Sequence, residues 1–154
     1  MAKYGDFMDL TVSHDFKNRI YYIQHKHNNQ TYELGIEYDR LHNSRTLMAV
    51  IYACIYSKRK DKYLNQYNIV SSGKDIFYSY SFFKQAFKLL EQEIIKEFNI
   101  FSYKKLIIYC WWTDNRRRDV YYKVLSKYGY DYMQIHNKRV IGKILYKEDN
   151  DAST

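Results

Sequence analysis

LIIYCWWTDNRRRDVYYKVLSKYGY, residues 106–130, is the stretch of this sequence that decides the fold. It opens with an uninterrupted apolar run, Leu106 to Trp112, which is typical of a strand buried on both faces. Thr113 and Asp114 can cap a following helix, and Gly129 stands where that helix needs a left-handed residue to end. The apolar positions between them recur at helical spacing: Val120, Tyr121, Val124, Leu125 and Tyr128. The pattern predicts a buried strand that leads directly into a packed helix.

The residues on either side extend the same pattern. From Phe82 onward, large apolar residues recur at helical spacing until Asn99, a natural stop, and Ser81 is available as the N-cap. Beyond the second helix, short strands are expected around Tyr130–Ile135 and Arg139–Tyr146. The second half of the chain is therefore predicted to run helix, strand, helix, strand, strand, which indicates an α+β fold.

A β-hairpin is the clearest element of the first half. Residues 20–27 are rich in β-branched and aromatic side chains, and Asn28-Asn29-Gln30 supplies a turn. Residues 31–39 then alternate strictly between apolar and polar, which is the signature of a half-buried strand. The polar face of this strand carries an acidic strip, which in a layered domain is most often exposed to solvent. The strip consists of Glu33, Glu37 and Asp39.

Two segments allow more than one interpretation. Leu41 to Lys60 contains a helical stripe, yet Met48 to Tyr56 is equally suited to a fully buried strand. Between residues 63 and 80, strand-like pieces occur at Tyr67–Val70 and Ile76–Tyr78, separated by a polar, glycine-containing turn.

The composition limits the class of protein. A chain of 154 residues has room for one domain, predicted over residues 1–147, with a polar tail at 148–154. No apolar run approaches the roughly 20 residues of a membrane helix, and no signal peptide is apparent, so a cytoplasmic protein without a membrane partner is expected. Cys54 and Cys110 lie in apolar stretches and are expected to be buried free thiols. The net charge of +8 favours a polyanionic partner.

Two basic clusters are candidates for anion binding. Arg116, Arg117 and Arg118 occupy the first turn of the predicted helix, where three cations oppose the macrodipole. They are either solvated or retained because they meet an anion, such as a cofactor phosphate or a nucleic-acid backbone. The second cluster is Lys58, Arg59 and Lys60, for which a solvated loop is the simpler interpretation.

Residues 114–130, taken with the strand before them, resemble the GNAT superfamily of acyl-CoA N-acyltransferases. That family has a buried strand, an Asn that opens a helix, an inward-facing Tyr, and a Gly-aromatic pair before the last strands. Asn115, Tyr121 or Tyr122, and Gly129-Tyr130 stand in those places, although the resemblance covers less than half of the chain. It implies a mixed, mostly antiparallel sheet flanked by helices, and transfer of an acyl group from acyl-CoA to an amine.

The resemblance also implies roles for individual residues. In such folds the buried strand splays from its neighbour, the gap receives the pantetheine arm of acyl-CoA, and the late-helix Tyr protonates the leaving thiolate. Tyr121 or Tyr122 would be this acid. The family's glycine-rich loop corresponds to residues 74–81, which contain no glycine. The residues implied in acyl-CoA binding are Lys74, Phe77, Ser79, Cys110, Trp111 and Asn115.

Other functions are compatible with the same sequence. One alternative is a non-enzymatic binding protein of a mobile element, such as a phage, that engages nucleic acid or a host protein. Another is an enzyme that modifies nucleic acid on a GNAT-like scaffold. His25 and His27 share one face of a predicted strand but lack a third ligand, so no metal is expected. The sequence does not indicate an oligomeric state.

Overall fold

The computed structural model describes residues 8–41, 45–57, 62–66, 76–112 and 115–147, with the backbone alone at 56–57, 62–66 and 76–77. These residues form an α+β fold with one eight-stranded sheet and two helices. The elements are β1 Ser13–Asp15, β2 Ile20–His27, β3 Gln30–Leu41, β4 Thr46–Ser57, β5 Lys62–Gln66, α1 Ile76–Ile100, β6 Lys105–Cys110, α2 Asn115–Leu125, β7 Asp131–Ile135 and β8 Lys138–Tyr146.

The sheet is mixed and mostly antiparallel. Its strand order is β1-β2-β3-β4-β6-β8-β7, with β5 paired to the end of β4. Only β4 and β6 pair in parallel, and every other neighbouring pair of described strands is antiparallel. The predicted order of helix, strand, helix, strand, strand in the second half of the chain is confirmed.

The predicted hairpin is confirmed, and its turn explains the choice of residues. Strands β2 and β3 pair in register from Ile20–Glu37 to His27–Gln30, which leaves Asn28 and Asn29 as a two-residue loop. Both asparagines have positive φ, 51° and 62°, as a type I′ turn requires. Asn adopts this region more readily than most residues, so the turn fixes the register of the hairpin.

Strand β4 resolves the ambiguity of residues 41–60 in favour of a buried strand. It pairs with β3 along its whole length and with β6 or β5 on its other edge. A strand in the middle of a sheet is apolar on both faces, so its sequence loses the alternation that distinguishes a strand from a helix. The helical interpretation of this segment was wrong.

Helix α1 begins earlier than predicted. Ile76–Tyr78, predicted as strand, is its first turn, and Ser81, predicted as the N-cap, lies buried inside the helix. Packing against β2 explains the difference, because the Tyr78 ring stacks on His27 at 3.8 Å between ring centroids. A tertiary contact of this kind outweighs the weak helix propensity of aromatic and β-branched residues. The pieces predicted at 67–75 lie outside the described residues.

Strand β6 is buried on one face, so the prediction of burial on both faces was wrong. Leu106, Ile108 and Cys110 are buried, whereas Ile107 and Tyr109 are half-buried on the opposite face. The cause is the position of the helices, because α1 and α2 pack together in the single core on one side of the sheet. Among the described elements, none covers the other side, which we call the open face.

The core side of the sheet is covered by α1. Its buried stripe crosses β2, β3 and β6, and α2 packs beside it, with Tyr121, Val124 and Leu125 buried. The described helices include none that is both long and apolar enough to cross a membrane. Gly129 has φ of 91° immediately after α2 and its short 3-10 extension, which confirms its predicted role as the helix terminator. The caps predicted at 113–114 lie outside the described residues.

Candidate active site between strands β4 and β6

The parallel pair β4 and β6 separates before either strand ends. Their register runs from Thr46–Lys105 to Val50–Tyr109, and Cys110 has no partner on β4. Strand β5 takes up pairing with β4 only from Cys54 onward. The segment Ile51–Ala53 therefore has no strand partner on this edge among the described residues. The two strands diverge here and leave a crevice in the sheet.

The crevice is lined by both strands and both helices. Its free volume is about 10 Å³, which is room for a single water molecule, so a larger ligand would have to displace a side chain. Trp111 is the most accessible wall, with 38% of its surface exposed and the Lys138 Nζ at 3.8 Å from the centroid of its ring. The lining residues are Ile51, Tyr52, Ala53, Phe83, Cys110, Trp111 and Tyr121.

The two tyrosines predicted as alternative acids are separated by the helix. Tyr121 is buried and lines the crevice, with its ring 5.9 Å from that of Phe83 between centroids. Tyr122 points to the other side, where its hydroxyl donates to Asp131 Oδ1 at 3.3 Å. The negative charge of Asp131 raises the pKa of Tyr122. Consecutive residues point about 100° apart on a helix, so only one of them reaches the crevice.

The first turn of α1 contributes a buried polar group. Ser79 is completely buried, and its Oγ has no hydrogen-bond partner among the described residues. One turn later on the same side of the helix, Phe83 lines the crevice. An unpartnered buried hydroxyl costs free energy, so Ser79 is a group that a bound ligand could satisfy. Of the other residues predicted near the cofactor, Asn115 begins α2 and is exposed. Lys74 and the side chain of Phe77 lie outside the described residues.

Cys110 lines the crevice but is unsuited to act as a nucleophile. Both cysteines are free and buried, as predicted. Burial raises the pKa of Cys110, and burial together with the charge of Glu33 raises the pKa of Cys54 to about 12. A thiol attacks as the thiolate, which neither cysteine forms near neutral pH.

We expect both cysteines to resist alkylation in the folded protein. With a pKa near 12, the thiolate fraction of Cys54 at pH 8 is on the order of 1,000-fold below that of an unfolded cysteine. Iodoacetamide labelling at pH 8, read by intact mass, should give no adduct within an hour and two adducts in urea. Rapid labelling of Cys110 without urea would contradict the assigned burial.

A larger cleft lies on the open face, directly behind the crevice. It encloses about 710 Å³, and Tyr52 and Trp111 line both cavities. The Tyr52 ring lies flat across Gly35, where an added Cβ would approach it to 2.4 Å. Its hydroxyl donates to Glu33 Oε2 at 2.7 Å. Because Gly35 has no side chain, the Tyr52 ring can pack against it and form an aromatic floor for the cleft.

The cleft carries charges of both signs, from Lys17 and Arg19 as well as from Glu37 and Asp39. Glu37 is exposed and forms no ion pair among the described residues, whereas Asp39 pairs with Arg19. Burial, together with the nearby charge of Glu37, raises the pKa of Tyr109, which shares the cleft. An aromatic floor beside a carboxylate suits an organic cation. Sequence reasoning identified the acidic strip but missed Tyr52 and Tyr109. The only signal for them was Gly35, a residue without a side chain among the polar positions of β3.

Only one of the two predicted basic clusters lies among the described residues. Arg116 is exposed at the start of α2, Arg117 is half-buried, and Arg118 Nε lies 3.1 Å from Asp119 Oδ1. Lys58, Arg59 and Lys60 lie outside the described residues. The position of the second cluster relative to the first stays a prediction.

His25 and His27 belong to an aromatic cluster at the start of α1. His27 stacks on Tyr78, and His25 Nδ1 is hydrogen-bonded to the Tyr78 hydroxyl. Burial and the neighbouring His27 lower the pKa of His25. Within the described part of the chain, no three His, Cys, Asp or Glu side chains form a group that could hold a metal ion.

Comparison with known proteins identifies no relative of this chain. No protein-family model matches the chain, and no curated protein or solved structure matches it either.

Proposed function

We propose that this protein is a divergent GNAT-like acyltransferase that moves an acyl group from acyl-CoA to an amine at the gap between β4 and β6. The observation that carries the proposal is the early separation of this parallel strand pair, with Tyr121 beside it. The resemblance of residues 114–130 to the family leads to the same place, because the buried strand of that family splays from its neighbour to admit the pantetheine arm.

Tyr121 is the proposed general acid. The acceptor nitrogen forms a bond to the thioester carbonyl carbon, and the carbon–sulfur bond then breaks. The sulfur leaves as a thiolate and takes the hydroxyl proton of Tyr121. The nitrogen, which binds as an ammonium, releases one proton to water before the attack and a second one after it, and the phenolate is reprotonated from water. The burial of Tyr121 at the gap supports this role, and the contact of Tyr122 with Asp131 speaks against the alternative.

Acyl-CoA and the amine would approach from opposite faces of the sheet. The start of α1 and the hydroxyl of Ser79 lie on the core side, where oriented backbone N–H groups favour an anion. The cleft with Glu37 lies on the open face, where a carboxylate favours an ammonium group. Tyr52 and Trp111 border both cavities, so the two reactants would meet through the gap.

Binding of CoA is the most direct test. A ligand at 100 times its dissociation constant stabilises a protein by about 2.7 kcal/mol, which raises the Tm of a chain of this size by roughly 5–10 °C. We expect such a shift with 1 mM acetyl-CoA and a smaller one with 1 mM ATP, which has the adenine and phosphates but lacks the pantetheine arm. Equal shifts with both ligands, or no shift with acetyl-CoA, would refute the proposal.

A further inference from the structure

A second cluster of aromatic and basic side chains lies apart from the crevice. Tyr132 on β7 is its centre, with the guanidinium carbon of Arg139 at 4.3 Å from the ring centroid. Trp112 meets the same ring edge-on at 6.0 Å, and Tyr122 packs parallel to it at 4.7 Å. We call Trp112, Tyr132 and Arg139 the aromatic–basic patch.

The patch is accessible and positively charged. Arg139 is exposed, and Trp112 and Tyr132 are half-buried. A neighbouring carboxylate, Asp131, accepts a hydrogen bond from the hydroxyl of Tyr122 and forms no ion pair with Arg139 among the described residues. Arg118 lies one helical turn before Tyr122 on the same side of α2, so the basic cluster noted in the sequence reaches this surface, with Asp119 paired to the Arg118 Nε.

The geometry points to a binding site for single-stranded nucleic acid on the aromatic–basic patch. Cations supply contacts to phosphates, and flat side chains supply surfaces on which unpaired bases stack. The guanidinium of Arg139 is already held over the Tyr132 ring. It is planar, so it can stack on a base and bind a phosphate at the same time, whereas an ammonium cannot do both. Bases inside a duplex are not available for stacking, so single strands are preferred. This inference does not rest on the proposed acyl transfer, because none of its residues lines the crevice.

Fluorescence anisotropy with labelled 20-nucleotide strands of DNA and RNA tests the inference. The double variant R118Q/R139Q is expected to bind at least one of these strands about 10-fold more weakly at 100 mM salt. The slope of log K against the logarithm of the salt concentration should become less steep by about 1.4, since two phosphate contacts are removed. The single variant Arg139→Lys keeps the charge, so it should weaken binding and leave the slope unchanged.

The matched control removes the same charge elsewhere. Lys26 on β2 and Lys96 near the end of α1 are both exposed and lie toward the opposite edge of the sheet. The double variant K26Q/K96Q should bind within 2-fold of the unchanged protein. An equal loss in this control would show that net charge alone is responsible and would overturn the inference. Equal affinity for a duplex would also overturn the inference, and so would the absence of binding to either strand at 50 mM salt. Acetyl-CoA binding should be the same in all these variants.

Discussion

Glu91→Met is expected to lower the free energy of unfolding by about 3 kcal/mol, with a fall in Tm of roughly 10 °C. Glu91 on α1 and Lys143 on β8 form an ion pair with 3.0 Å between Oε2 and Nζ. Their side chains are only 13% and 18% exposed, so neither charge is well hydrated. Removal of the carboxylate leaves an ammonium in a poorly hydrated position, and this uncompensated charge is the main source of the loss.

The remaining contacts of Lys143 cannot replace the carboxylate. Its ammonium donates to the Tyr128 carbonyl at 2.8 Å and lies 5.2 Å from the centroid of the Tyr130 ring. Both are neutral groups, so neither cancels the charge. Replacing both partners, as in the double variant E91M/K143M, removes the charge together with its counter-ion and should recover most of the stability.

Urea unfolding followed by circular dichroism measures these differences. The more exposed pair of Lys96 and Glu93, with side chains 65% and 32% exposed and 3.8 Å between Nζ and Oε1, provides the control. Glu93→Met should change the free energy of unfolding by less than about 0.5 kcal/mol, because exposed ion pairs contribute little. If the double variant E91M/K143M is as unstable as Glu91→Met, the loss comes from packing, and the electrostatic account is wrong.

Elements whose residues act locally could be predicted from the sequence. The alternation of residues 31–39 and the asparagines before them predicted a hairpin that the structure confirms, with a two-residue turn in place of the three residues assigned to it. Gly129 was identified because the end of a helix requires a left-handed conformation that few residues adopt easily. In both cases the structure is determined by the conformational preferences of residues that are adjacent in the chain. Such preferences can be recognised in a single sequence.

Features that depend on distant contacts were missed. The first turn of α1 resembles a strand in its residues and becomes helical against His25 and His27, about 50 positions earlier. The pairing of Glu91 with Lys143 joins residues 52 positions apart. At the site, helical spacing placed Tyr121 on the apolar face of α2, but it did not indicate which of Tyr121 and Tyr122 would reach a crevice whose position was unknown. The crevice itself depends on where β4 and β6 stop pairing, which no local pattern indicates.

Tyr121→Phe is expected to reduce kcat for acyl transfer by about 100-fold, while KM for acetyl-CoA stays within about 3-fold of its original value. General acids typically contribute about 100- to 10,000-fold, and this variant removes the proton while keeping the ring that lines the crevice. A loss confined to kcat identifies a group that acts in the transition state rather than in binding. The measurement is CoA thiol release, followed with a thiol reagent, in the presence of an arylalkylamine or a lysine-containing peptide.

The neighbouring tyrosine supplies the matched control. Tyr122→Phe removes the same hydroxyl one residue away, on the side of α2 that faces Asp131, and should change kcat by less than about 3-fold. If Tyr122→Phe is the damaging variant, the acid lies outside the crevice, and the role assigned to the gap is wrong. If both variants turn over at the original rate, the leaving thiolate is protonated by water. If instead both lose activity with an equal fall in Tm, the effect is on folding, and the two tyrosines have no separate chemical roles.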